Sequence, residues 1–422
     1  MSVSRTGAYW LASERIVAAL TGLLTTFLVA RFMGPIDFGV FAFVFASIGL
    51  GLAAGQLGMD SLLVRSFINL DWTEAEIIGT AVLIKAIANV VAFVIVLWIV
   101  IALTDGTEAE LDIVVLSVSV FALSSVTTVL GPWFKAREDF RSLFKIRIVA
   151  TVMSFVAKVA VVVSDLSIVA MAAAHILYFV AETITIIALH RRENGGPIRN
   201  WKYRKTVARD LVSRGMPLFI GTMIAVTYMN IDMVMLRFFW DAKSVGEYAL
   251  VPQMLNAIQI IPYALTSAAF PVILALVRKG ARNEVALLCR RIYGQLLLFS
   301  IMALLLVALV VRPLTPIVFG DAYQTTMTPM LISSFAVPFI FIRYLSTKLF
   351  VAYDVGYDFV KMELVGLSVN VALNLILIPR YAGSGAAFST VVAYFTSTIF
   401  MPCLLMKSRE IFLPMLKRHV NA

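Results

Sequence analysis

The sequence predicts an all-α integral membrane protein with about 12 transmembrane helices. Of its 422 residues, 61% are hydrophobic and only 14% are charged, whereas soluble chains are about half apolar and about a quarter charged. Apolar runs of about 20 residues or more recur along the whole chain. Helices are expected because unpaired backbone groups are too costly in hydrocarbon. A transmembrane barrel is excluded because its strands would be shorter, alternating segments.

Short polar turns separate the apolar runs and place the ends of the spans. The first two spans are divided by Gly34-Pro35, residue types that are typical of turns. The predicted spans cover residues 9–33, 36–58, 77–103, 111–134, 143–164, 166–190, 215–238, 246–276, 288–311, 325–350, 357–378 and 382–406. Span eight contains Pro252, Pro262 and Pro271, which predict bends because proline removes a helical hydrogen bond.

The distribution of basic residues predicts the orientation. With the N-terminus in the cytoplasm, the cytoplasmic segments contain 26 of the 35 lysines and arginines. The opposite side contains five, Arg31, Arg237, Lys243, Arg312 and Arg380, and four lie within spans. This asymmetry places both termini in the cytoplasm. It also accounts for the formal net charge of +10 without a nucleic-acid partner.

Several function classes have no support in the sequence. No loop is long enough for a soluble catalytic domain, and no Walker A loop, metal-ligand cluster or cofactor motif is present. Cys289 and Cys403 do not suggest a disulfide framework. Glu108 and Glu110 lie in an acidic outer loop and are expected to be solvated. The first helix lacks the pattern of a cleaved signal peptide, and we expect it to be retained.

The two halves of the chain echo each other, which predicts an internal repeat. LVARFMGPIDFGVFA (28–42) is similar to VMLRFFWDAKSVGEYA (234–249), and WFKAREDFRSLFK (133–145) to LFVAYDVGYDFVK (349–361). Six spans in each half give both halves the same orientation, a parallel repeat that is typical of transporters. The predicted lobes cover residues 1–190 and 215–422. Residues 191–214 form a basic cytoplasmic linker, for which contact with lipid headgroups is the alternative role.

Five stretches resemble one known family. They are residues 30–60 (ARFMGPIDFGVFAFVFASIGLGLAAGQLGMD), 131–141 (GPWFKAREDFR), 228–250 (YMNIDMVMLRFFWDAKSVGEYAL), 319–326 (FGDAYQTT) and 370–390 (NVALNLILIPRYAGSGAAFST). These resemble the polysaccharide-repeat-unit flippases, which transport O-antigen and exopolysaccharide units, of the multidrug/oligosaccharidyl-lipid/polysaccharide exporter superfamily. FFWDAKSVG departs from the family, which often has a glycine after the first aromatic residues. Some relatives carry fourteen spans, and nothing in this sequence supplies the extra pair.

The resemblance implies a V-shaped, two-lobed helical bundle in the inner membrane of a bacterium. It implies alternating access that moves a lipid-linked oligosaccharide of the polyprenyl-phosphate type to the outer leaflet, and no enzymatic activity. Membrane lipids are expected partners, and polysaccharide polymerase and chain-length proteins are candidate partners. The residues leave open efflux of drugs or metabolites, and less readily a membrane polysaccharide polymerase or ligase, which needs larger outer loops.

Charged residues within spans are candidates for a transport pathway, because an isolated charge in hydrocarbon is costly. The basic ones are Arg15, Lys85, Lys158 and Arg343. Each can bind a substrate phosphate, although Arg15 lies near a span end where a long side chain can instead snorkel.

Arg31 and Arg237 occupy matching positions at the outer ends of spans one and seven. They are candidates for an outer gate or for phosphate binding, with interfacial anchoring as the alternative.

Two acidic residues and one histidine complete the candidates. Asp232 matches the acidic position of the family's seventh-helix motif, so the resemblance implies a role in substrate binding or gating. Glu182 is a candidate for coupling to a proton or sodium gradient, with a structural partner for a lysine as the alternative. His175 is an isolated histidine, for which packing is the simpler interpretation than a proton relay.

Overall fold

The computed structural model of the protein describes residues 5–69, 72–104, 108–194, 200–353 and 355–405. Every regular element in these ranges is a helix, and none is a strand. The chain divides into two compact units, Met1–Phe238 and Phe239–Ala422.

The first unit contains eight helices. They are α1 (Arg5–Gln56), α2 (Asp60–Asn69), α3 (Glu74–Leu103), α4 (Glu108–Leu116), α5 (Val118–Ala136), α6 (Phe140–Val163), α7 (Ile168–Asn194) and α8 (Lys205–Phe239). Helix α6 packs on α7 and α1, and α3 packs on α1 and α5. The predicted division into two lobes of six spans stays a prediction, while α8 is grouped with the first compact unit.

The second unit contains α9 to α16 and three tighter or wider helical segments. The α-helices are α9 (Ala242–Ile258), α10 (Ile260–Arg278), α11 (Arg282–Leu306), α12 (Arg312–Phe319), α13 (Met327–Ser334), α14 (Val337–Ala352), α15 (Gly356–Phe395) and α16 (Met401–Leu404). Val307–Val311 and Thr396–Phe400 are π-helical, and Asp321–Thr326 is a 3₁₀-helix. Helix α14 packs on α10 and α11, and α13 packs on α15.

Nine helices of the described chain are long and apolar enough to cross a membrane, or up to ten if the pair Asp321–Ser334 and Val337–Ala352, bent by 46°, is one span. Two of the nine contain a break where the sequence predicts a turn between spans. The breaks lie at Gly34, in α1, and at Ala382, in α15. A count of twelve treats each broken helix as two crossings, and that number stays a prediction.

The break in α1 has a local cause. Gly34 has φ 79° and ψ 177°, a conformation that costs a residue with a Cβ but not glycine. Pro35 follows and lacks the N–H that a continuous helix needs. No atom lies within 4 Å of a Cβ built on Gly34, so the backbone angle, and not lack of space, requires glycine.

The middle of the predicted linker, directly before α8, is packed on helix α3. The amide of Lys202 donates to the carbonyl of Ala75 at 3.0 Å, and the amide of Arg204 donates to Thr80 Oγ1 at 2.9 Å. A Cβ on Gly79 would lie 2.5 Å from the Lys202 nitrogen. The segment thus rests directly on the first turns of α3. Helix α8 then starts at Lys205, earlier than the predicted start of span seven at residue 215.

One buried cluster connects the helices around the docked linker segment. It includes residues of α2, α3, α5, α6, α7 and α8, with Trp133 and Phe134 fully buried, and Trp201 packs against it. The backbone of helix α8 also lies in close contact with the backbone of the turn after α1. A Cβ on Gly58 would lie 2.3 Å from the Phe219 nitrogen, and one on Gly215 would lie 2.9 Å from the Leu57 carbonyl oxygen. These contacts fix α8 against the turn that joins α1 to α2.

In the second unit, the turn before α9 is held by a capping residue. Asp241 accepts a hydrogen bond from the Ser244 amide at 2.9 Å. That bond holds the pKa of the Asp241 carboxyl below its usual range. Trp240 Nε1 donates to the carbonyl of Ile378 at 2.8 Å, so the same turn is tied to α15.

Candidate functional site

Lys158 is a buried cation whose one partner in the described part of the chain is a neutral hydroxyl. It lies near the end of α6, is 5% exposed, and its Nζ is 3.4 Å from Thr25 Oγ1 on α1. No carboxylate lies within 4.0 Å of Nζ among the described residues. A buried ammonium without a counter-ion is costly, which makes this position suited to an anionic ligand.

The histidine nearest to Lys158 in this region is packed among aromatic rings. His175, on α7, lies within electrostatic range of Lys158. Its ring centroid is 4.5 Å from that of Phe45 and 5.5 Å from that of Phe41, both on α1. His175 Nδ1 is buried and has no hydrogen-bond partner in the described residues. This packing agrees with the simpler interpretation of His175, and the rings of Phe41 and Phe45 are groups of a kind that can contact sugar faces.

A hydrogen bond between helices positions this pair. Ser154, one turn before Lys158 on α6, donates to the carbonyl of Ala174 at 2.7 Å. The bond is buried and joins α6 to α7 next to His175. Helices α6 and α7 therefore present Lys158 and His175 from a fixed relative position.

Lys85 is fully buried on α3 and is neutralised by the protein. Its Nζ donates to Asp60 Oδ1 at 3.2 Å and to the carbonyl of Thr128 at 3.0 Å. One turn further along, Asn89 Nδ2 donates to the carbonyl of Phe121 and to Ser124 Oγ, both at 3.0 Å. These bonds tie α3 to α2 and α5, so the geometry supports a structural role for Lys85.

Arg237 forms a two-pronged ion pair with Glu110 inside the first unit. Nε is 3.1 Å from Oε1 and Nη2 is 3.4 Å from Oε2. The Glu110 side chain is fully buried, and the guanidinium lies 6.0 Å from the centroid of Phe43. The expectation that Glu110 is solvated is therefore wrong. It is buried because α4 packs against α1 and α7, so that its carboxylate meets the arginine at the end of α8.

The other terminal arginines differ from Arg237. Arg31 is exposed just before the break in α1, and no ion pair or hydrogen bond joins its side chain to a described residue. Arg15 lies within α1, and its side chain is outside the described residues.

The acidic candidates are both held within the first unit. Asp232 is 7% exposed on α8. Glu182, on α7, has Oε1 3.4 Å from Arg147 Nε on α6. Glu182 thus has a structural partner, which is an arginine and not a lysine.

In the second unit, Arg343 is paired with Glu363, which is not among the residues predicted from the sequence. Its guanidinium binds the Glu363 carboxylate through both Nε and Nη2, with Nε 2.8 Å from Oε1. The guanidinium also lies 5.5 Å from the centroid of Tyr394. Glu363 lies within predicted span eleven, and a carboxylate inside a span is the sequence feature that could have identified it as a partner for a buried cation. The pair links α14 to α15.

The amides of the second unit serve helix contacts. Tyr344 donates to Gln259 Oε1 at 3.0 Å, and Gln259 Nε2 is 3.2 Å from Asn256 Oδ1. Asn374 Nδ2 donates to Asn370 Oδ1 at 3.1 Å, and both asparagines are fully buried.

Four of the six basic candidates therefore fall into two groups. Lys85, Arg237 and Arg343 each meet a carboxylate within their own unit, at Asp60, Glu110 and Glu363 respectively. Lys158 meets a hydroxyl.

Comparison with known proteins identifies related chains. A family model described as "Polysaccharide biosynthesis protein" matches residues 4–277. An uncharacterized membrane protein of Methanocaldococcus jannaschii is 23% identical over 209 residues, which are 49% of this chain and 41% of that protein. The matched part thus spans less than half the length of that relative.

Solved transporter structures share the fold. The lipid II flippase MurJ, in an inward closed conformation, has a TM-score of 0.73 at 11% identity, covering 99% of this chain and 94% of that chain. An inward-facing multidrug resistance MATE family transporter of the MOP superfamily has a TM-score of 0.68 at 13% identity. The match covers 97% of this chain and 100% of that chain. The MATE multidrug transporter DinF-BH has a TM-score of 0.69 at 17% identity, and the match covers 97% of this chain and 96% of that chain. The predicted fold class, a helical multi-pass membrane transporter fold, is confirmed.

Proposed function

The chain belongs to the polysaccharide biosynthesis protein family, as the sequence resemblance predicts, and on that premise we propose that it flips a lipid-linked oligosaccharide across a membrane. The cargo is a sugar unit on a polyprenyl phosphate or diphosphate, moved from the cytoplasmic to the outer leaflet by alternating access. The lipid tail can stay in the bilayer. The phosphate and the hydroxyl groups need a hydrated, charged route, because bare transfer through hydrocarbon is prohibitive.

The observation that carries this proposal is the buried ammonium of Lys158 with only the Thr25 hydroxyl as its partner among the described residues. A substrate phosphate supplies the missing negative charge, and charge-assisted hydrogen bonds to phosphate are about twice as strong as neutral ones. The rings of Phe41 and Phe45 stand beside His175 in the same region. Apolar ring faces of this kind can contact the sugar.

The remaining candidates have supporting roles in this proposal. The pairs of Arg237 with Glu110 and of Arg343 with Glu363 hold helices within each unit. Arg31 stays a candidate for the outer gate, Asp232 for substrate contact, and Arg15 for phosphate contact near the cytoplasmic surface. Glu182, paired with Arg147, is the candidate through which a proton or sodium gradient would drive transport.

The family resemblance also favours a location and an orientation in the membrane. We place the protein in the inner membrane of a bacterium with both termini in the cytoplasm, as the excess of basic residues on one side favours. Polymerase and chain-length proteins would then receive the flipped unit on the outer side.

The test uses purified protein in proteoliposomes that contain a fluorescent polyprenyl-diphosphate oligosaccharide. Transfer between leaflets is followed by quenching with a membrane-impermeant reductant. We expect Lys158→Met to slow transfer by about tenfold or more, because it removes a charged hydrogen bond to phosphate. Lys158→Arg, which keeps the charge, should retain most of the rate. Lys243→Met is the matched control, because Lys243 is exposed and pairs along its own helix with Glu247.

The alternative is efflux of a drug or metabolite, which the shared fold of MATE transporters favours. A buried lysine without a carboxylate partner among the described residues disfavours cationic drugs. Protein that moves cationic dyes in the same vesicles, but not the lipid-linked oligosaccharide, would overturn the flippase proposal. Equal flipping rates for wild type and Lys158→Met would remove Lys158 from it.

A further inference from the structure

A polar cleft lies between α2 and the first turns of α8, within the first unit. The side chains that matter for its chemistry are Arg65, Ser66, Asn69, Trp72, Asp210 and Arg214. It is lined from both sides, by α2 with the residues that follow it and by α8. None of these residues is among those predicted to bind or gate the substrate.

The cleft carries positive charge that the described protein does not neutralise. Arg65 is exposed, and within the described ranges, which omit 70–71, its guanidinium has no ion pair or hydrogen bond. Arg214 uses Nε to bind Asp210 Oδ1 at 2.8 Å. That pair cancels one positive charge and orients the Arg214 guanidinium, so Arg65 provides the surplus charge.

The walls of the cleft are fixed before any ligand arrives. Leu63 and Phe67 of α2 and Leu211 of α8 all belong to the buried cluster at this end of the unit. The backbone of Gly58 and that of Phe219 approach so closely that a Cβ on Gly58 would lie 2.3 Å from the Phe219 nitrogen. A preformed site loses little entropy on binding.

The cleft lies at the edge of the membrane. The apolar candidate span of α8 begins at Leu218, after Asp210 and Arg214, and the first candidate span ends at Asn69. Trp72 lies three positions after Asn69, and tryptophan is enriched at membrane interfaces. The arginines therefore sit at the depth where phosphate headgroups of the bilayer lie.

From this arrangement we propose that the cleft binds the phosphate headgroup of an anionic phospholipid. Arg65 and Arg214 provide charged donors to the phosphate, and Ser66 and Asn69 provide neutral donors. Basic pockets between helices at this depth are suited to anionic headgroups. The residues of the cleft are not among those proposed to bind the cargo, and this proposal does not depend on that cargo.

The experiment is native mass spectrometry of the purified full chain, exchanged from detergent into equal amounts of phosphatidylglycerol and phosphatidylcholine. We expect preferential retention of phosphatidylglycerol, reduced about tenfold by Arg65→Gln, because a charged hydrogen bond to phosphate is lost. Arg65 has no described protein partner, so this variant should fold. Arg209→Gln is the control, because Arg209 is an exposed arginine of the same helix as Arg214 and lies outside the cleft.

A second arm separates the lipid from a soluble source of phosphate. Inorganic phosphate and glycerol phosphate are added to the detergent-purified protein, and its thermal unfolding is followed. If these ions stabilise wild type but not Arg65→Gln, and phosphatidylglycerol does not compete, the ligand is a soluble phosphate and the lipid proposal is overturned. Equal retention of the two lipids, or equal losses in Arg65→Gln and Arg209→Gln, would also overturn it.

Discussion

Replacing Gly79 with alanine should release the middle of the basic linker from helix α3. A Cβ at this position would lie 2.5 Å from the Lys202 nitrogen, 2.7 Å from its carbonyl oxygen and 2.9 Å from its carbonyl carbon. All three atoms belong to the backbone, so no rotation of a side chain can relieve the contact. The linker must therefore move away from the helix.

The size of the effect follows from the contacts that would be lost. Displacement breaks the bonds from Lys202 to Ala75 and from Arg204 to Thr80, each about 0.5–1.5 kcal/mol. Keeping those bonds and accepting the overpacking instead costs about 1–3 kcal/mol as well. The higher helix propensity of alanine does not change the balance, because α3 is helical whether the linker is docked or open. The docked form therefore loses about 1–3 kcal/mol, and the middle value raises the population of the open linker by about 30-fold.

Limited trypsin digestion measures this opening, because Lys202, Arg204 and Lys205 lie in or beside the docked segment. We expect Gly79→Ala to be cut there much faster than wild type. Gly221→Ala is the matched control, because no atom lies within 4 Å of a Cβ built at that helical glycine. Cleavage of Gly79→Ala at the wild-type rate, or equal acceleration in Gly221→Ala, would contradict this prediction.

Two further predictions concern the ends of α8 and α9. Glu110→Gln should destabilise the protein by about 3–5 kcal/mol, because the mostly buried Arg237 guanidinium loses its counter-ion. The double variant Glu110→Gln/Arg237→Gln should lose less stability than the two single variants combined, as measured by thermal unfolding in detergent. A single variant as stable as wild type would contradict this. Asp241→Ala should lower stability by about 1 kcal/mol at neutral pH, as is typical of a lost helix cap. Because the folded pKa of Asp241 is depressed, that difference should shrink as pH falls below 3.8 toward the folded pKa, and a constant difference would count against it.

The sequence predicts the helices well because hydrocarbon leaves the backbone few choices. Long apolar runs become helices, and the turn at Gly34-Pro35 falls where φ becomes positive. The prediction missed the first turns of α8 because they are polar and do not continue the apolar run. These turns are held in place by the packing of Leu211 in the buried cluster. Hydropathy does not detect a helix end of this kind.

The ion pairs are much harder to predict. Glu110 and Arg237 are 127 positions apart, and no local spacing rule connects them. Both lie on the predicted outer side, so the only sequence feature that could indicate this pair is their opposite charge at a similar depth. Lys85 and Arg343 stand out in the sequence for their depth, but depth does not reveal whether another helix supplies a carboxylate.

Stability can separate a functional cation from a structural one, because the two buried lysines of the first unit should respond in opposite directions. Lys85→Met removes the ion pair to Asp60 and the bond to Thr128, and we expect a loss of about 1–3 kcal/mol. Lys158→Met removes a buried charge that, among the described residues, only the Thr25 hydroxyl offsets. We expect unchanged or higher stability, since replacing a buried charge by an apolar group of similar size is often neutral or stabilising.

Thermal unfolding of both variants in the same detergent provides the comparison. A residue kept at a cost to stability is typical of a binding site, so a stable Lys158→Met that fails to flip its cargo would assign Lys158 to the phosphate. Equal destabilisation by the two changes would mean that Lys158 holds helices together as Lys85 does, and the flippase proposal would then need a different phosphate site.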